Sequence, residues 1–192
     1  MAERPWAVSA ICVPAIILGA AGFLGAAAMA AGQVYQPKFS ALQPDPKLAR
    51  LNAEFERRSA EAIAPTRPYF WALLPFLVGG AGLLLAGGVR GLKLRGRGLL
   101  VAAFAANVGI DAASAAIGIA NQLALRDVMG WYAREMAAAA NVPAGLLSSM
   151  TMGATVGVAF AAAWFLVKAG YYVLGIVVLG KPAVRAAFAP PA

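Results

Sequence analysis

Histidine is absent from the 192 residues. Its absence excludes bis-imidazole haem sites, histidine-bearing zinc sites and every catalytic dyad built on imidazole. Cysteine occurs once, as Cys12 inside an apolar run. Neither an intrachain disulfide nor a CxxC redox pair is therefore available, and a small apolar filler is the simplest role for Cys12. Charge is scarce: 12% of residues are Asp, Glu, Lys or Arg, against about a quarter in an ordinary soluble domain. Acids are the scarcer sign, eight against sixteen bases. No P-loop, GxSxG, HExxH or EF-hand pattern is present, so no nucleotide, hydrolase, zinc or calcium motif organises the chain.

What fills the sequence is apolar. Hydrophobic residues make up 61% and mean hydropathy is +0.73, which excludes a disordered chain, a coiled coil and an ordinary soluble enzyme. Residues 5–37 carry no charge, residues 68–89 carry none, residues 98–125 carry only Asp111, and residues 136–180 carry only Lys168. A helix needs about 20 mostly apolar residues to cross a hydrocarbon core of about 30 Å. The expected fold is thus all-α: an integral membrane bundle of four transmembrane helices near 7–33, 69–89, 98–121 and 150–178, in a single membrane domain. A β-barrel is excluded, because the runs are continuous rather than alternating. Ala28-Met29-Ala30 resembles a signal-peptidase site, but the apolar run before it is longer than a usual signal core. A retained first helix is the favoured reading, with Pro14 expected to bend it.

Residues 38–67 hold ten charges. Within them, 47–64 reads as an amphipathic helix: Leu48, Leu51, Phe55 and Ala62 share one face. Opposite charges at i, i+4 support it at Arg50/Glu54, Glu54/Arg58 and Arg57/Glu61. Leu51 and Phe55 are expected to be buried, Glu54 and Arg58 exposed. A shorter helix with an aromatic edge is expected near 126–140, set off from the third span and ended by residues 141–143.

An even number of spans puts both termini on one side, with the turn at 90–97. That side has seven bases and one acid; the other has eight bases and six acids. The short, purely basic turn places it and the termini in the cytoplasm, by the positive-inside rule. The amphipathic helix then lies in the first extracytoplasmic loop. The expected location is the plasma (inner) membrane. Net charge of +8 is assigned to anionic lipid headgroups at the 90–97 turn rather than to nucleic acid, because the bases flank apolar runs. Trp6, Tyr35, Tyr69, Trp71, Trp131 and Tyr172 are expected in the interfacial aromatic belts.

One polar constellation stands out. Asn107, Asp111, Ser114, Gly118, Asn121 and Gln122 fall on one face of the third span. An Asp at the centre of a spanning helix costs about 3 kcal/mol to insert, so Asp111 should face the interior. Asp111 lies about 18 Å along its helix from Leu99, and Lys168 about 16 Å from Leu179. The two helices run antiparallel, so these depths agree and an Asp111–Lys168 ion pair is expected. Its role stays open at this point: a neutral pair fixing helix packing, a titrating or gating pair, or no pair, with Lys168 snorkelling to the surface beside Tyr171 and Tyr172. Small-residue pairs at Gly153/Gly157 and Gly87/Gly91 and the series Gly19, Gly22, Gly25 permit close helix contact without naming partners.

The chain lacks the extracellular cysteines of claudins and tetraspanins and the CxxC of quinone-coupled thiol reductases. These residues favour a non-enzymatic subunit or scaffold of a membrane assembly, with no cofactor and with a membrane protein partner or a second copy as its contact. A small transporter or channel, with Asn107, Asp111, Ser114 and Lys168 along its path, is the alternative.

Overall fold

The computed structural model describes residues 6–34, 43–140 and 144–189. Arg4, Tyr35 and the helix break expected at 141–143 lie outside them. The described residues are all-α, with no strand among them. The helices are α1 (Trp6–Val34), α2 (Pro46–Ile63), α3 (Arg67–Leu92), α4 (Arg97–Ala140), α5 (Ala144–Gly180) and α6 (Pro182–Ala187). Four stretches are long and apolar enough to cross a membrane, in α1, α3, α4 and α5. The protein is a multi-pass, all-α membrane protein.

Two elements differ from expectation. The separate helix near 126–140 is not separate: α4 runs unbroken for 44 residues. That is about 66 Å at 1.5 Å per residue, more than twice the hydrocarbon thickness. Residues 122–127 (QLALRD) contain no glycine or proline. Charge there marks the exit from the hydrocarbon, not the end of the helix. Likewise α2 passes into α3 through a single 3₁₀ turn at Ala64–Thr66, despite Pro65 and Pro68. Proline is tolerated in the first turn of a helix, where its missing N–H has no partner to lose.

The ends of the elements have local causes. Asp45 caps α2, its carboxylate accepting from Lys47 N at 2.8 Å, with Pro46 at the first helical position. The end of α3 is closed by Arg95 N donating to Arg90 O and Leu94 N to Gly91 O, both at 2.9 Å. This bond pair is a Schellman motif, which needs a left-handed residue at its turn. That residue is Leu94, at φ 54°, followed by Gly96 at φ 72°. A leucine there costs more than glycine would, but its side chain packs on the apolar core.

The chain forms two compact units. The first comprises 1–33, 72–113 and 165–192; the second comprises 34–71 and 114–164. In the first, Val8, Ile11, Cys12 and Ala15 of α1 join Leu84, Leu100, Phe104, Tyr172 and Leu179 in one core. Glycines let these helices touch. A Cβ on Gly88 would lie 2.9 Å from the Cys12 carbonyl, and one on Gly91 would lie 2.5 Å from Cys12 Sγ. A Cβ on Gly175 would collide with the Phe104 ring. Tyr171 donates to the Ile11 carbonyl at 2.5 Å, tying α5 to α1. Arg97 Nε donates to the Leu179 carbonyl at 2.8 Å, placing positive charge at the C-terminal end of α5, where the helix dipole favours it. Arg97 is thus committed to packing, and the basic turn offers Arg90, Lys93 and Arg95 to its surroundings.

In the second unit α2 lies on the distal part of α4. The Phe55 and Tyr132 rings meet tilted by 37°, 4.4 Å between centroids, Tyr132 donates to Asn52 Oδ1 at 2.6 Å, and the Arg58 guanidinium sits 4.0 Å over the Trp131 ring. The expected contrast between apolar and charged faces is not found: Leu51, Phe55, Glu54 and Arg58 are all half-buried. Trp131 draws Arg58 inward, and Arg58 in turn bonds Glu54 at 2.7 Å. The hydrogen bond from Arg57, then that from Arg58, lowers the Glu54 pKa to about 2. This carboxylate's contribution to α2 is therefore present above the ordinary carboxylate range and is lost only as pH falls toward 2.

A cation–π contact of this kind is worth about 0.5–2 kcal/mol. Trp131→Ala is expected to speed amide hydrogen exchange across 46–63 while leaving exchange in 98–113 unchanged. Unchanged exchange in 46–63 would show that the stacking does not hold α2.

Candidate functional site

The polar side chains of the first unit converge on α4. Asn107 and Asp111 are four residues apart on one face of α4, and Lys168 and Tyr172 are four apart on one face of α5. Lys168 Nζ lies 2.6 Å from Asp111 Oδ1, and the Tyr172 hydroxyl donates to Asp111 Oδ2 at 3.0 Å. Both carboxylate oxygens are thus engaged by α5. Asp111 is 9% exposed and Tyr172 1%. In a low-dielectric interior, a paired and hydrogen-bonded charge is tolerated where a lone one is not.

Asn107, 5% exposed, extends the arrangement to α3. Its amide nitrogen donates to the Gly80 carbonyl at 3.1 Å and to Ala103 O, one turn back on α4, at 2.8 Å. Glycine is required at the contact: a Cβ on Gly80 would lie 2.7 Å from Asn107 Oδ1. One side chain from α3's neighbour and one from α5's neighbour therefore sit a single turn apart on α4, tying three helices together.

Tyr172 corrects the sequence reading. It is not in an interfacial belt but buried, its ring stacked on Phe104 at 5.7 Å, with Tyr171 edge-on to the same ring at 5.4 Å. A signal was present in its i, i+4 spacing from Lys168, which points both side chains at one neighbour. The belt rule for tyrosine near a helix end masked it.

The other members of the stripe are in the second unit. Ser114 is half-buried. Asn121 is bonded to the Thr66 hydroxyl, which also lies 2.9 Å from Ile63 O. The stripe thus divides: Asn107 and Asp111 belong to one set of contacts and Asn121 to another. Among the described residues, no group of three or more His, Cys, Asp or Glu side chains could hold a metal ion. Chemically, the arrangement stores a neutral ion pair.

The small-residue pairs also divide. Gly87 approaches Leu100, where a Cβ would lie 3.2 Å from its Cα, and Gly157 approaches the Gln122 amide at 3.2 Å. A Cβ on Gly153 would meet nothing within 4 Å, so the second pair makes contact through one member only.

Comparison with known protein families, with curated proteins and with solved structures finds no match to this chain.

Proposed function

We propose that this multi-pass protein is a non-enzymatic subunit or scaffold of an assembly in the plasma (inner) membrane. The observation that carries this reading is the engagement of both Asp111 oxygens by α5, with Asn107 tied to Gly80 and Ala103. A transport path must lend its polar groups to a passing ion. Here Asn107, Asp111, Lys168 and Asn121 are each spent on bonds within the chain. The apolar surface of α5 supports a contact role. Met152, Val156, Phe160 and Trp164 repeat every fourth residue and are 49–69% exposed, and only 17% of the apolar window in this span is buried within the chain. A ridge of large residues at i, i+4 is the element that seats in the groove of a neighbouring helix.

The test pairs two measurements. A photo-crosslinking residue at Phe160, in native membranes, is expected to give a discrete protein adduct. Proteoliposomes of the parent and of Asp111→Asn are expected to leak protons at the same rate. Lipid adducts alone, with flux that depends on Asp111, would replace the scaffold by a transporter.

The proposed orientation has both termini and the 90–97 turn in the cytoplasm, with Arg90, Lys93 and Arg95 facing anionic headgroups. In a Cys12→Ala background, cysteines at the exposed positions Ala53 and Arg134 are expected to react with an impermeant maleimide from outside the cell, and one at Arg95 only after lysis. Labelling of Arg95→Cys in intact cells would reverse the topology.

A further inference from the structure

A small cavity in the second unit is unused by the reading above. It is a recess of about 80 Å³, open on one side, lined by Gln122, Leu123 and Arg126 of α4 and Thr155 and Val158 of α5, with Arg126 and Thr155 exposed at its mouth. Pockets for whole small molecules run to about 300–1,000 Å³, so this one suits a single compact polar group. Its lining combines a guanidinium, an amide and a hydroxyl with two aliphatic side chains. Among the described residues Arg126 has no ion pair and Gln122 no hydrogen bond. The neighbouring Asp127 does not line the recess.

Depth identifies the group. Counted from Leu99, Gln122 lies about 34 Å along α4 and Arg126 about 40 Å. Counted from Leu179, Thr155 lies about 36 Å along α5 and Val158 about 31 Å. The hydrocarbon is about 30 Å thick, and about 40–45 Å with both headgroup layers. Counted from the near edge of the hydrocarbon, the far headgroup layer runs from about 30 to about 37 Å; Gln122 and Thr155 stand within it, the Arg126 backbone just beyond it with its side chain leaning back toward the helix N-terminus, and Val158 at the edge of the hydrocarbon. A cationic fork flanked by an amide and a hydroxyl donor fits phosphate oxygens. Gly157 contributes by its lack of a side chain: a Cβ there would press on the Gln122 amide, at 3.2 Å from its carbon.

We propose that Gln122, Arg126 and Thr155 bind the phosphate group of a phospholipid whose acyl chains run past Val158. The same chemistry would accept free phosphate, so the test separates the two sources. All proteins carry Arg90→Ala, Lys93→Ala and Arg95→Ala, which removes the basic turn as a second lipid site. Full-length protein is delipidated in detergent, and retained lipid is counted by native mass spectrometry during titration with phosphatidylglycerol, with diacylglycerol, and with phosphatidylglycerol plus inorganic phosphate.

Phosphatidylglycerol is expected to bind and diacylglycerol not. Arg126→Ala should weaken binding about tenfold, as loss of a charged hydrogen-bonding partner implies. Gly157→Ala and Thr155→Val should weaken it less, and Arg134→Ala should leave it unchanged. Should Arg126→Ala lose its helical circular dichroism, Arg126→Gln and Thr155→Val supply the comparison. Equal weakening by Arg126→Ala and Arg134→Ala would overturn the site as bulk charge attraction. Equal retention of diacylglycerol would overturn the phosphate. Displacement of the lipid by millimolar inorganic phosphate would overturn the lipid as its source.

Discussion

Asp111→Ala is expected to be among the most destabilising single substitutions in the chain. It leaves the Lys168 ammonium, 2.6 Å from its counter-charge in the parent, with no partner, and it orphans the buried Tyr172 hydroxyl. Breaking a buried pair on one side costs about 3–5 kcal/mol in soluble proteins. Polar contacts in membranes measure lower, because the unfolded chain finds other partners there, and long lysines can snorkel. A loss of about 2 kcal/mol or more is the expected result. Thermal unfolding in a fixed detergent measures it. The double variant Asp111→Leu with Lys168→Leu removes both charges and should recover the part of the loss that the unpaired Lys168 ammonium causes. Recovery should be incomplete by the cost of the stranded Tyr172 hydroxyl, about 1–3 kcal/mol, and adding Tyr172→Phe should return that remainder. An Asp111→Ala protein as stable as the parent, with additive double and triple variants, would mean that these contacts do not hold the helices.

The logic of that series also marks what the sequence could and could not reveal. Depth along a helix follows from residue counting, so Asp111 and Lys168 could be placed at one level from Leu99 and Leu179 alone. Azimuth needs the neighbours: the four-residue spacing puts Tyr172 and Lys168 on one face of α5, but the spacing alone does not tell whether that face meets a headgroup or the Asp111 carboxylate. The four spans were legible because charge is excluded from hydrocarbon, and the gaps in charge are long. The unbroken α4 was not, because hydropathy records where a helix leaves the membrane and is silent on where it stops. The residues that continue it, 122–127, are ordinary helix formers in any solvent. Half-burial of Arg58 was illegible for a related reason: the face of α2 was read against water, while the surface it meets is the Trp131 ring.

The glycines of α1 separate spacing from contact most sharply. Gly19, Gly22 and Gly25 are three residues apart and identical in type, so periodicity treats them alike. Their surroundings differ. A Cβ on Gly19 would lie 2.8 Å from both the Ala81 carbonyl oxygen and the Leu85 nitrogen, whereas one on Gly22 would meet the Ala81 Cβ at 3.0 Å and one on Gly25 nothing within 4 Å. The atoms facing Gly19 are backbone, held in the hydrogen-bond ladder of α3, and cannot rotate aside as a side chain would. Gly19→Ala must therefore push α1 and α3 apart, at a cost of about 1–3 kcal/mol for overpacking. Gly25→Ala meets no obstacle and gains up to about 1 kcal/mol in helix propensity, so its stability should equal or exceed the parent's. Gly22→Ala should fall between them, since its single tight contact is looser, 3.0 Å to the Ala81 Cβ, and needs a smaller shift of the helices. Thermal unfolding midpoints of the three variants in one detergent decide the matter. The order Gly19 < Gly22 < Gly25 is expected; indistinguishable midpoints for Gly19→Ala and Gly25→Ala would show that α1 and α3 do not pack backbone to backbone at Ala81.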